Sequence, residues 1–241
     1  MKVLITTGQP WSAMEIIDFD DSTFNCTKVE SFPAGVTQLT AASGGLMNGQ
    51  TPFICGGNAY INGDWKYTKD CFQLTEDGSW AKDQAATLST PRVFAGYGSV
   101  VQNNKLFLTG GEGEGGLWLS SIEMFSLNAT GKTLSVQLPI GMIHHCQVTW
   151  DSDKFMVIGG SNRNETFFIN IKTDQLTKGP SLKVARWAHA CGELEVNGKS
   201  YIIVTGGFNN VISTEFLEKD NVEQGWQKGN LIEILNLQRV D

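Results

Sequence analysis

Few side chains in this chain of 241 residues can act as metal ligand, nucleophile or proton carrier near neutral pH: three histidines, His144, His145 and His189, and five cysteines. His144 and His189 fall at matching places in the stretches HHCQVTW and HACGELEV, each with a cysteine, Cys146 or Cys191, two residues further on. Imidazole and thiolate both bind transition metals, so the spacing raises the question of a metal site. No carboxylate stands where it would complete a ligand set. The expectation is therefore histidines hydrogen-bonded to backbone or water near a central channel, with no metal and no cofactor. The run GGEGEGG, residues 110–116, lacks a following helix whose N-terminus would make it a phosphate cradle. Neither G-x-S-x-G nor H-E-x-x-H occurs. These residues point to a protein that is not an enzyme.

Acidic residues outnumber basic ones, 25 to 18, for a formal charge of −7. Proteins that track phosphates carry a basic stripe, so nucleic acid is an unsuitable partner. No window offers the ~20 apolar residues that span a bilayer, which argues against membrane insertion. The chain begins MKVLITTG, where the apolar run stops at Thr6, Thr7 and Gly8; that is the length of a strand, not of a secretory core. Charged residues make up 18% of the chain, below the roughly 25% of an average soluble domain, and glycine is abundant. That profile belongs to many short strands joined by tight turns.

Five short phrases set the organisation: VLITTG ending at Gly8, PFICGG with Gly56 and Gly57, LFLTGG with Gly110 and Gly111, FMVIGG with Gly159 and Gly160, and YIIVTGG with Gly206 and Gly207. Their last residues are 49, 54, 49 and 47 positions apart. Each phrase is a β-branched and aromatic strand, followed by a polar loop and a second strand: AMEIIDF, KDCFQL, SIEMFSL, TFFINI and STEFLEK. A third strand carries Trp80 or Trp226, with Leu134 and Leu176 in the corresponding places elsewhere. A further strand precedes four of the phrases: LTAASGGLM, FAGYGSVV, HHCQVTW and HACGELEV. Four strands per period make one propeller blade.

The period of about fifty, the glycine pairs, the aromatics Phe72, Phe125, Phe168 and Phe216, and the tryptophans Trp80 and Trp226 resemble the kelch family of β-propellers. The resemblance runs over the whole chain and implies an all-β protein of five blade repeats, approximately 1–33, 34–88, 89–139, 140–183 and 184–241. Thr7 replaces the first glycine of the first pair, and three repeats lack the family tryptophan. The first blade lacks its innermost strand. Either LIEILNLQRV, residues 231–240, enters that place and closes five blades, or the chain is a segment of a larger propeller.

Strand parity puts the loop after each glycine pair on the same face as the segment that enters the next blade. That face is expected to carry Trp11, Tyr60, Trp65, Trp118, Asn162, Arg163, Asn209 and Asn210, with Arg92 and Arg186. Tryptophan, tyrosine and arginine are enriched at binding hot spots, so these residues form the candidate partner-binding set. The competing expectation is that Arg92 and Arg186 bond repeat to repeat and that the loop aromatics fold over their own blades. The resemblance implies a non-catalytic module that binds a protein partner. Carbohydrate or matrix binding through the same aromatics is the alternative, and a copper oxidase of the galactose oxidase type a third reading, for which Tyr97, matching Cys191, has no evident copper-ligating companions.

Cys55 and Cys71 fall on adjacent strands of one hairpin, close enough for a disulfide, although two small buried apolar side chains would suit the same places. The pairing is similar to that of extracellular invertebrate kelch proteins, in which CGG is followed by a cysteine on the next strand. Asn25, Asn128 and Asn164 begin N-x-[ST] sequons. Both features lean towards an extracellular location, with the cytoplasm as the alternative.

Overall fold

A computed structural model describes residues 2–6, 14–18, 26–29, 32, 36–97, 100–208 and 211–229, with backbone alone for the first three segments and residue 37. Gly8, Trp11, Asn25, Asn209, Asn210 and residues 231–240 lie outside the described residues.

The first sheet consists of β1 (Lys2–Thr6), β2 (Met14–Asp18) and β3 (Cys26–Val29) in that order. Next comes β4 (Val36–Thr40), followed by the strands of the second sheet, β5 (Ser43–Met47) and β6 (Thr51–Cys55). A hairpin of β7 (Asn58–Ile61) and β8 (Asp64–Tyr67) intervenes before β9 (Asp70–Leu74) and β10 (Trp80–Thr87) complete that sheet in the order β5-β6-β9-β10. The third sheet runs β11 (Val101–Gln102), β12 (Lys105–Thr109), β13 (Ser121–Phe125) and β14 (Lys132–Gln137). The fourth runs β15 (Cys146–Thr149), β16 (Lys154–Ile158), β17 (Thr166–Asn170) and β18 (Gln175–Lys178). The fifth runs β19 (Ala190–Val196), β20 (Lys199–Thr205), β21 (Thr214–Glu218) and β22 (Gln227–Gly229). All pairings within these sheets are antiparallel, and their succession is propeller-like. Strand order in the four four-stranded sheets follows the four-strand period read from the glycine phrases.

Packing explains why β12 and β16, the second strands of the third and fourth sheets, are buried over their last four residues. Successive residues of a strand point to opposite faces, and each inner sheet has a neighbour on both. On β16, Phe155 and Val157 belong to the cluster shared with Phe107 and Ile122 of the third sheet, whereas Met156 and Ile158 pack with Ile202, Val204 and Trp226 of the fifth. On β12, Leu106 and Leu108 meet Phe53 and Met47 of the second sheet while Phe107 faces the fourth.

A small sheet, β4-β7-β8, departs from the sequence pattern, in which the segment after Gly57 reads as polar loop. Asn62 and Gly63 both have positive φ, 53° and 86°, which is the tight hairpin turn that an Asn-Gly dipeptide favours. The four aromatics that follow the glycine phrases are not equivalent in the sheets. Phe72 and Phe125 are buried and Phe168 and Phe216 half-buried, because the strand registers place them at different positions of their sheets.

The glycine pairs dock the sheets. The amide of Gly57 donates to the Arg92 carbonyl at 2.8 Å, that of Gly111 to Met142 at 2.8 Å and that of Gly160 to Arg186 at 2.9 Å. A Cβ on Gly110 would lie 2.4 Å from the Met142 oxygen, and φ is 58° there, so a side chain is excluded on both counts.

The three accepting residues are structural equivalents, and their side chains solve one burial problem in two ways. Arg92 donates to the Gly110 carbonyl at 2.8 Å and to the Ser121 hydroxyl at 2.9 Å, and pairs with Glu123, with both charged side chains 1% exposed. Arg186 does the same with Gly206, Ser213 and Glu215, the ion pair measuring 2.8 Å at 0% exposure. In the fourth sheet Met142 and Phe167 occupy these places and share one apolar cluster. Removing one partner of a buried pair leaves an uncompensated charge, whereas a well-packed apolar pair is a stable substitute. Arg92→Met is expected to cost about 3–5 kcal/mol, and Arg92→Met with Glu123→Phe to recover most of that, as read from urea unfolding midpoints.

Candidate functional site

Each segment entering an innermost strand turns through a left-handed residue: Ala41, Phe94, His144 and Ala188, with φ between 50° and 55°. For Phe94 and His144 this is a backbone conformation that side chains rarely adopt. It is held by a ladder between sheets, in which the amide of Phe94 donates to the Ala41 carbonyl at 3.2 Å, that of His144 to Phe94 at 3.2 Å and that of Ala188 to His144 at 2.9 Å. The ladder also corrects the histidine alignment. Counting from Arg92, Met142 and Arg186, His144 is equivalent to Ala188 and His145 to His189, a shift of one residue that exchanges the faces of the strand.

His144 lies on the loop face in a row of rings. Its imidazole is 4.4 Å from Phe94 and 5.2 Å from Trp187 between ring centres, and Trp187 is 4.7 Å from Phe208. The Tyr97 hydroxyl and His144 Nδ1 are 2.5 Å apart. Burial lowers the pKa of His144, opposed by the nearby Glu112 charge. The same carboxylate accepts a hydrogen bond from the Tyr67 hydroxyl at 2.8 Å, which raises the tyrosine pKa.

Next to this row, between the second and third sheets, is a cleft of about 540 Å³ lined by Thr40, Ala41, Asn58, Tyr67, Val93, Phe94 and Tyr97. The small sheet supplies Thr40, Asn58 and Tyr67, the segment entering the second sheet supplies Ala41, and the segment entering the third supplies Val93, Phe94 and Tyr97. Glu112 adjoins the cleft through two of its lining residues, accepting the Tyr67 hydroxyl and pairing its backbone in both directions with Val93. Asn58 Oδ1 is buried without a hydrogen-bond partner among the described residues. The residues of this cleft do not stand out in the sequence. A signal exists in the aligned entry segments RVFAGY, MIHHCQ and RWAHAC, where the residue two beyond Arg92 or Met142 is aromatic or histidine.

His145 and His189 are buried inside. His145 Nε2 is 2.6 Å from the Thr109 hydroxyl, which in turn donates to Gln147 Oε1 at 2.7 Å. The hydroxyl proton is thus committed to Gln147, so His145 carries its proton on Nε2. Burial, with the neighbouring histidines, pushes its pKa down to about 3; burial and then the Arg186 charge push His189 down to about 4. Cys146 and Cys191 form a disulfide between the innermost strands of the fourth and fifth sheets, and Cys55 and Cys71 form one across β6 and β9. In the first pairing the two sulfurs that accompany His144 and His189 in sequence are bonded to each other and are not free thiolates. Among the described residues, no three His, Cys, Asp or Glu side chains come together as a metal site.

No family model and no curated protein matches this chain. Among solved structures it is similar to that of YjhT, with a TM-score of 0.75 at 15% identity, covering 95% of this chain and 80% of that one. The likeness is one of fold.

Among the described residues, those expected on the binding face divide into four groups. Tyr60 and Trp65 stack on the β7–β8 hairpin with ring centres 5.2 Å apart, and Trp65 shares a shallow hollow with Tyr67 and Glu114. Trp118 is 47% exposed beside Leu117 at 65%, on the loop that follows Gly111. Asn162 is exposed, and the half-exposed Arg163 side chain lies 3.5 Å from Glu165. Arg92 and Arg186 do not belong to the surface; their guanidinium groups are committed to the buried ion pairs. Of the sequons, Asn128 is exposed, while the Asn164 amide donates to the Leu182 carbonyl at 3.1 Å.

Two measurements check this arrangement. Iodoacetamide should label Cys55, Cys71, Cys146 and Cys191 of denatured protein only after reduction, and reduction should lower the melting temperature, since each crosslink typically contributes about 2–4 kcal/mol. His145 and His189 have folded pKa values below their unfolded ones, so the unfolded chain binds more protons between those values. Stability is therefore complete above the ordinary histidine pKa of 6.5 and falls as pH drops towards 4, at about 1.4 kcal/mol per pH unit for each histidine. His145→Gln should flatten that dependence.

Proposed function

We propose that the protein is a non-catalytic interaction module of the kelch kind, a propeller of five blade repeats that binds a protein partner with the loop face. The observation that carries this reading is that an aromatic cleft and the Tyr60–Trp65 pair share the β7–β8 hairpin, which adjoins the loop after Gly111 that carries the half-exposed Trp118. Loops on a rigid scaffold are where binding residues concentrate, and tryptophan and tyrosine supply contact area at small entropic cost. The groups with the most displaced histidine pKa values, His145 and His189, are 0% and 3% exposed, away from any ligand that approaches this face. Two disulfides and the exposed Asn128 sequon favour an extracellular or otherwise oxidising location.

The aromatic lining of the cleft also favours a second reading, in which the ligand is a carbohydrate stacked on Phe94 or Tyr97. One experiment separates the two. Trp65→Ala with Trp118→Ala is compared with wild type and with Lys172→Ala, a change in the β17–β18 turn at the other end of the sheets. Each is used for capture from an extract of the native source, for glycan-array binding and for thermal melting. The proposal expects the double variant to melt normally and lose at least about tenfold of the captured protein, the size of one interface hot spot. Undiminished capture by a folded double variant would remove it, and glycan binding by wild type without protein capture would establish the second reading.

A further inference from the structure

We propose that the cleft between the second and third sheets receives a cationic side chain, a lysine or arginine of the protein partner. The inference rests on the interaction-module reading and gives that interface its central chemistry. Tyr67, Phe94 and Tyr97 form three aromatic walls, and the face of an aromatic ring carries negative potential that attracts ammonium and guanidinium groups. Polar groups in the cleft add acceptors. Among the described residues, Asn58 Oδ1 is buried and has no donor, and the Glu112 carboxylate, held against the lining residue Tyr67, has one hydrogen bond, from that hydroxyl, and no cation within salt-bridge distance.

The charges around the cleft are of one sign. Among the described residues, no lysine or arginine lines it. Burial lowers the pKa of His144, so the imidazole facing Tyr97 is neutral at pH 7 and does not neutralise Glu112. The two guanidinium groups of the neighbouring entry segments, Arg92 and Arg186, are buried against Glu123 and Glu215. Lys66 belongs to the adjoining hollow, with Trp65 and Glu114. An anion entering here would lose its hydration against Glu112 without gaining a cation. A guanidinium would gain a carboxylate, a bare amide oxygen and three aromatic faces. The volume, about 540 Å³, admits such a side chain together with the backbone that presents it.

The test uses N-acetyl-L-arginine amide as the probe and N-acetyl-L-citrulline amide, which has the same shape without the charge, as its control. Titration into the wild-type protein is followed by calorimetry at low and at physiological salt. Saturable binding of the arginine probe is expected, weakened by salt, at least about tenfold tighter than the citrulline probe, and reduced by a similar factor in Glu112→Gln. Equal binding of the two probes, or no binding of either, would overturn the inference on wild-type protein alone, so it remains falsifiable even where the variant fails to fold. Unchanged binding in a folded Glu112→Gln would overturn it as well. Partner capture by the Trp65 and Trp118 variants is read separately. Normal dependence of capture on those tryptophans with no arginine binding defeats the cation and leaves the module; arginine binding with tryptophan-independent capture defeats the module.

Discussion

The architecture depends on one backbone contact made repeatedly, the amide of the second glycine of a pair donating to the carbonyl of the segment that enters the next sheet, at 2.8 to 2.9 Å. At this distance no Cβ fits on the first glycine, and the positive φ would strain any side chain. The strand that ends in the pair is thereby held directly against its neighbour. The apolar run before it is buried on both faces for the same reason, as Phe155 to Ile158 illustrate by alternating between two clusters.

That contact constrains the entry segments in turn. The residue whose carbonyl accepts the glycine amide sends its side chain under the next sheet, and burial there demands either complete compensation of charge or none to compensate. Arg92 with Glu123 and Arg186 with Glu215 take the first course, and Met142 with Phe167 the second. Two residues later the chain must turn sharply, and the ladder from Ala41 through Phe94 and His144 to Ala188 holds it in the left-handed region. Phe94 and His144 are presented on the loop face because the core has already fixed the residues before them.

This division separates structural chemistry from binding chemistry. The charged and titratable groups that attract notice in the sequence, Arg92, Arg186, His145 and His189, are interior and neutralised by partners or by burial. Around the cleft, the groups that stand together are the aromatic rings of Tyr67, Phe94 and Tyr97 and the side chain of Asn58. The cysteines belong to the structural side: Cys146 and Cys191 link neighbouring innermost strands next to the histidines they accompany in sequence.

By itself the sequence determined what local periodicity and conformational exclusion can specify. The glycine pairs, the apolar strands before them and the order of strands within each period were legible, because a missing Cβ and a doubly buried strand each leave a mark on composition. The sharing of one face by the loops and the entry segments was legible from strand parity. Only the tertiary structure decided the phase of the histidines, since a one-residue shift leaves the pattern H-x-C intact and exchanges the faces of the strand. It alone withdrew Arg92 and Arg186 from the surface, because burial depends on glutamates 31 and 29 residues away that no spacing announces. The cleft of Asn58, Tyr67, Phe94 and Tyr97 was invisible for the same reason. Its walls come from two sheets and an unanticipated hairpin, and they meet only when the glycine contacts bring those sheets together.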